Sequence, residues 1–356
     1  MEGRRRKSGA NPPGQRPEAS DGQDFSVVVP RDESRRRVWR DLQRLAPMAF
    51  MAMLFSTLLL AVFFLLDARG LLANLLDFGG SLESLAIRSL LIYGLIPLLT
   101  ASLLITVYRP APLILLGRRP PLPALLSAPA AGFLLGWLLW CALAFLESFS
   151  WVSSDWLALP EAWRWGALHL FRSPLSAALI LLVTLVLPAT CHELLYRGLI
   201  LPVFRAGGRA GSLLLPALLA AAASFDRPGF PVLFLGALMA SWVRMKTDSL
   251  LASALSTGAF AGAMLVSGTL FGAISQLAAG MPLIDPYRIR VFLVTLALIL
   301  IVLLLAPLAL IGSAGRSWSQ EETGLPKGRT APFGKTNRMA ALLCLLAVAA
   351  ILYFFS

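Results

Sequence analysis

Inside a long apolar run the sequence places Cys191-His192-Glu193-Leu194-Leu195-Tyr196-Arg197-Gly198. Glu193 and Arg197 stand four residues apart, so on a helix a carboxylate and a guanidinium share one face and can pair. His192 lies about 100° around a helix from Glu193 and adds an imidazole, a side chain suited to acid–base chemistry near neutral pH. An ionised side chain at the centre of a bilayer costs about 2.5 to 3.5 kcal/mol on insertion scales, so these residues need a partner or an aqueous cavity. A catalytic acid or base meets that need, and so does an ion pair that braces helices in a polar crevice. Pro188, about one turn earlier, opens the backbone and lets the helix bend around a cavity. A zinc site fits poorly: His192-Glu193 begins an H-E-x-x-H pattern, but its second ligand position holds Tyr196, and the other histidine, His169, falls outside the run. Cys141, Cys191 and Cys344 lie far apart within apolar runs, which argues for neither a disulfide framework nor a metal site. The sequence calls for no cofactor and no metal.

The elements that must position this cluster are membrane spans. Of 356 residues 57% are hydrophobic and 14% charged, and the mean hydropathy is +0.74, a balance foreign to a water-solvated domain. Apolar runs occupy 46–66, 89–107, 125–146, 174–204, 212–224, 230–243, 249–271, 291–311 and 339–355. They predict an all-α polytopic membrane protein of about nine transmembrane helices with a cytoplasmic N-terminus. The runs 212–224 and 230–243 are short for about 30 Å of hydrocarbon, so seven to eight spans plus a re-entrant hairpin around Pro228 and Gly229 is the alternative count. The first run is long enough to remain as an anchor.

Alternation from a cytoplasmic N-terminus puts 23 of the 31 basic residues in inside segments and 7 in outside loops. The net charge of +12 therefore describes orientation, and nucleic acid is not needed to explain it. Residues 1–30 read as a disordered basic tail and 31–45 as an interfacial basic helix or linker against anionic lipid. The membrane part divides into 46–172, a core at 173–271, and 272–356. Trp151, Trp156, Trp163 and Trp165, in the outer loop before the core, are expected to form an interfacial aromatic belt.

The stretch from His192 to Leu199 resembles the E-E-x-x-x-R-G signature of the CPBP family, the CAAX-prenyl-protease and bacteriocin-processing membrane proteins related to type II CAAX endopeptidases. The span order, Pro188, and Thr247-Asp248-Ser249-Leu250, which is similar to a family T-G-S-L approach to the last motif helix, agree over 173–271. The resemblance implies a glutamic-type intramembrane peptidase fold. In it the first Glu activates water, a His of a second motif assists, and a later His with an Asn stabilises the oxyanion.

Carried over position by position, the water-activating Glu falls on His192, and the second Glu and the Arg are kept as Glu193 and Arg197. The second motif, F-x-x-x-H, falls where the chain reads Ala221-Ala222-Ala223-Ser224-Phe225-Asp226, without a histidine. The third, H-x-x-x-N, falls on Thr257 and Ala261, within a segment whose Gly258-x-x-x-Gly262 suits close helix packing.

The expected function is a CPBP-family endopeptidase homologue with a CAAX-protease-like fold and impaired catalysis. Were it active, Glu193 or His192 would be the base, Arg197 the brace and Thr257 the remaining oxyanion donor. A non-catalytic protein that binds or escorts a membrane-proximal peptide or membrane protein is the alternative. A transporter subunit is a third reading, disfavoured by the lack of inverted repeats and of further buried ionisable residues. Expected partners are membrane lipids and such a peptide or protein, and the expected place is a cell membrane, of the bacterial inner-membrane type.

Overall fold

The computed structural model describes residues 47–63, 66, 82–110, 112–147, 160–205, 209–224, 226, 228–279 and 286–314. The expected tail and linker at 1–45, the last apolar run at 339–355, and Trp151 and Trp156 lie outside the described residues. Among those described the regular structure is helical, with no β-strand and one isolated antiparallel bridge, between Gly117 and Ser249.

Ten helices follow in order. α1 is Pro47–Phe63. α2 runs through Leu82–Ser89, a widened turn at Leu90–Leu95, and Ile96–Tyr108. α3 is the short Pro112–Leu116, α4 is Leu122–Glu147, and α5 is Glu161–His169. α6 begins at Pro174–Leu181 and continues to Leu201–Arg205. α7 is Arg209–Ala222, α8 Phe230–Thr247, α9 Leu250–Ala279 and α10 Pro286–Ala314.

Among the described residues five helices are long and apolar enough to cross a membrane: Ala86–Tyr108 in α2, Leu122–Leu146 in α4, Pro174–Phe204 in α6, Leu250–Thr269 in α9 and Arg290–Ser313 in α10. The chain is a multi-pass helical membrane protein. α1 is a shorter apolar helix, as is Gly211–Ala222 of α7, and α7 packs directly on α8 as a hairpin.

Helix starts and stops follow local chemistry. Ser173, in extended backbone, caps α6: its hydroxyl accepts from Ser176 N–H at 3.1 Å, its own N–H donates to Ser176 Oγ at 2.9 Å, and Pro174 follows at the first helical position. Several hydroxyls in the apolar helices return to their own helix, as Ser56 Oγ donates to Ala52 O at 2.7 Å and Thr184 Oγ1 to Ile180 O at 2.7 Å. Such bonds leave no donor facing lipid.

Among the described residues, four packed clusters of side chains hold the bundle, two of which join most of the helices. One gathers Met48 and Met53 of α1, Ile96 of α2, Leu195 and Leu199 of α6, and Leu219 of α7. The other joins α4, α8, α9 and α10 through Ala128, Ala131, Val243, Ala252 and Ile311. Gly132 lets α4 and α9 touch backbone to backbone, since a Cβ there would lie 2.1 Å from Ser256 O. On the opposite side of α9, Gly258 and Gly262 face Ala189 and Leu185 of α6, in keeping with the close packing read from their spacing.

A buried carboxylate cluster where α6 meets α9

α6 carries the chemistry on an unusual winding. It has i→i+5 turns at Leu182–Val186, Pro188–His192 and Leu194–Ile200. Pro188 lacks the N–H that a tight ladder would use, and such widened turns recur at functional sites. α2 is widened at Leu90–Leu95 where it passes this segment, and its Gly94 sits against Leu187.

Glu193 and Arg197 are each 1% exposed, and Arg197 Nη1 lies 3.0 Å from Glu193 Oε1. The same Oε1 accepts from Thr257 Oγ1 at 2.9 Å, and Oε2 accepts from Ser253 Oγ at 2.5 Å. Arg197 Nη2 donates to Ala237 O on α8 at 2.7 Å. Both carboxylate oxygens are thus served by donors from two helices, and the ion pair is tied to a third. Such bonds repay part of the desolvation of a buried pair, and Arg197 Nε alone of these atoms is left without a protein partner.

A cavity of about 50 Å³ opens beside this pair, room for a few waters. His192, Glu193, Arg197, Thr257 and Ala261 all line it, so the structure gathers the positions singled out on α6 and α9. His192 is buried against Tyr93 and Tyr196, with ring centroids 5.8 and 4.4 Å away. Its ring also hydrogen-bonds the Ala220 backbone, while Nε2 has no protein partner. Among the described residues, no three of His, Cys, Asp and Glu converge as a metal site would need.

Several residues differ from the sequence-based expectation. The second motif's end does not bring Asp226 to the cavity. Its carboxylate turns back to accept from Gly229 N–H at 2.9 Å, alanines 220 and 221 face the cavity instead, and Phe225 is outside the described residues. Trp163, expected in an interfacial belt, is 6% exposed. It lies on α5, lines the cavity, meets Phe260 edge-on at 5.7 Å and donates Nε1–H to Thr184 O at 3.4 Å. α5 folds inward because a tryptophan whose N–H finds a carbonyl can be buried without penalty.

Two residues were not singled out. Ser253 stands one turn before Thr257, and its signal is the row of small hydroxyl residues Ser249, Ser253 and Thr257 along one helix face. Arg244, which directly follows the apolar run 230–243, is 2% exposed. It donates to the carbonyls of Ile114, Leu115 and Leu116 at 3.1, 3.2 and 3.3 Å, and its Nη1 is 3.7 Å from Asp248. A further buried ionisable residue therefore exists outside the Glu193–Arg197 pair, and it is saturated by backbone.

A helical membrane bundle with an acid, a guanidinium, an imidazole and a hydroxyl converging on an internal cavity defines a class of intramembrane site. Residues 174–262 match the family model described as type II CAAX prenyl endopeptidase Rce1-like, of the CPBP family, and that stretch contains every cluster residue on α6 and α9. The match covers a quarter of the chain. No curated protein and no solved structure matches it.

Proposed function

We propose that this chain is a CPBP-type protein of a cell membrane that keeps the peptidase scaffold without its hydrolytic chemistry, and that it holds or escorts a membrane-proximal peptide or membrane protein. One observation carries this reading: Glu193 accepts from Arg197 and Thr257 on Oε1 and from Ser253 on Oε2, three of the about four acceptor positions of its carboxylate, which supports a bracing role. A base must hold a lone pair toward the water it activates, and the position where the family resemblance expects that base is His192. Thr257 spends its hydroxyl on Glu193, and Ala261 has no polar group with which to steady an oxyanion.

A second reading has one specific observation in its favour. His192 lines the cavity, its Nε2 has no protein partner, and its ring hydrogen-bonds the Ala220 backbone, which supports a neutral imidazole with a free lone pair. On that reading His192 is the base.

The test uses the full chain in lipid vesicles with a library of membrane-proximal peptides, prenylated and unmodified, read by mass spectrometry. No cleavage is expected from the native chain or from Glu193→Gln. Cleavage that His192→Ala abolishes would replace the first reading with the second.

A further inference from the structure

The cluster on α6 is bounded at both ends, and the two boundaries differ in kind. On one side Arg244 donates through Nε to Arg197 O at 3.5 Å, while its Nη groups take the carbonyls of Ile114, Leu115 and Leu116. Leu115 packs on Gly198, and Arg118 N–H donates to Asp248 O at 2.8 Å. α3 and Arg244 thus form a hydrogen-bonded floor beside the Glu193–Arg197 pair. Opening it would strip a buried guanidinium of its acceptors, a costly rupture.

On the other side stands Trp163. It lines the cavity from α5, which packs on α6 with Gly166 against Ile180 and Thr184. Its Nε1–H donates to Thr184 O at 3.4 Å, a long bond, and its ring meets Phe260 edge-on. Pro188, four residues on, has no N–H to offer that carbonyl, so the residue that interrupts the α6 ladder also leaves an acceptor for the indole. Phe260 is backed by α8, since a Cβ at Gly236 would lie 2.5 Å from its ring. The turn of the short α7–α8 hairpin meets the start of α5, where a Cβ at Gly229 would lie 2.8 Å from Pro160 Cα. Thr184 and Arg197 are no more than about 20 Å apart along α6, and the cluster lies between them.

We propose that an occupant of the cavity enters from the α5 end, opposite the Arg244 floor, and that Trp163 is the residue that admits it. This rests on the reading of the cavity as the place where a held segment inserts, and it assigns that segment to the α5 face. Displacing the indole costs one long hydrogen bond and one ring contact, and it leaves Thr184 O to water or to the occupant. The entering group then meets His192, whose Nε2 has no protein partner, with Glu193, Arg197 and Thr257 alongside. That polar end selects a short side chain with hydrogen-bonding atoms. With the indole in place the cavity of about 50 Å³ has room for a few waters, so Trp163 sets the size that is accepted.

The experiment follows a single thiol. Ala261→Cys, in a full chain whose own cysteines are replaced, is reconstituted in vesicles and exposed to a charged, membrane-impermeant methanethiosulfonate from each face in turn. Arg172→Cys and Arg119→Cys, both at exposed positions, mark the two faces. Reaction is expected from the face that labels position 172. Trp163→Ala is expected to speed it about tenfold, and Trp163→Phe, which keeps a ring on Phe260 and drops the N–H, about threefold. Leu115→Ala, in the floor, should leave the rate unchanged. Reaction from the face that labels position 119 overturns the proposal, as does a rate that neither Trp163 variant moves or that Leu115→Ala raises equally. Ala131→Cys, buried among α4, α8, α9 and α10, guards against unfolding: equal acceleration there means that the bundle has loosened, and the proposal falls. Ala221→Cys, on the α7 wall, gives a second reporter with the same expected outcomes. No peptide is present in this assay, so the entry route and the retention of a peptide fail separately.

Discussion

Glu193 is worth more as one corner of a network than as a charge. Removing it leaves Arg197 buried with Ala237 O and no counter-charge. Glu193→Gln is therefore expected to destabilise the folded bundle by about 3 to 5 kcal/mol, the cost of breaking one side of a buried pair. Adding Arg197→Met should recover much of the loss, because the uncompensated charge is then gone; thermal unfolding of the two variants in the same detergent checks this. Recovery would mark the pair as a brace, and no recovery would mean that Glu193 holds α9 by itself through Ser253 and Thr257. At this scale the sequence was informative where polarity was conspicuous. A carboxylate and an arginine four residues apart in an apolar run announce themselves, and the family register located Thr257. Ser253 was hidden because a serine in an apolar helix ordinarily bonds its own preceding turn, and nothing local says that this one reaches across to Glu193. Arg244 was hidden for the opposite reason: an arginine near the end of an apolar run is what a membrane flank looks like.

Among elements, α6, α8 and α9 make the site, and α4 holds α9 in place. The widened turns of α6 carry no sequence mark beyond Pro188, so its existence and extent were legible while its winding was not. The short runs at 212–224 and 230–243 had read as spans or a re-entrant hairpin. α7 and α8 pair with each other, and neither is among the five helices apolar and long enough to cross. Trp163 packs inside the bundle instead of facing lipid, and its N–H finds a partner there in Thr184 O. The contact of α4 with α9 gives a sharp test. At Gly132 any side chain must displace the backbone of Ser256, 2.1 Å from the new Cβ. Gly132→Val is expected to cost about 3 kcal/mol or more, as overpacking of a rigid contact does. The loss should appear as a lower unfolding temperature, whereas Gly312→Ala, at a position with open space around it, should leave that temperature within about a degree.

For the whole molecule, the distribution of charge sets a polarity across the bundle. The end carrying Arg109, Arg118, Arg119 and Lys246 is expected to face the cytoplasm under the positive-inside rule. Single cysteines placed at Arg119 and at Arg172, in a chain whose own cysteines are replaced, should respond oppositely to an impermeant thiol reagent added outside intact cells. Position 172 should be labelled at once and position 119 only after permeabilisation. The reverse pattern would invert the molecule. The broad architecture was legible because long apolar runs have few ways to satisfy their backbone in lipid, and helices are the simplest.

The clasp between Arg244 and α3 also bears on the order in which the protein is built. Its hydrogen bonds join residues 128 to 130 positions apart, so α3 leaves the ribosome long before the side chain that will hold it. Until α8 is made, the carbonyls of Ile114, Leu115 and Leu116 must rely on water or on other chains at the membrane surface. Biogenesis is therefore finished from the C-terminal side: the early helices become a fixed platform only when synthesis has passed Asp248. A chain stopped short of that point would carry an unfinished surface that a quality-control protease could read.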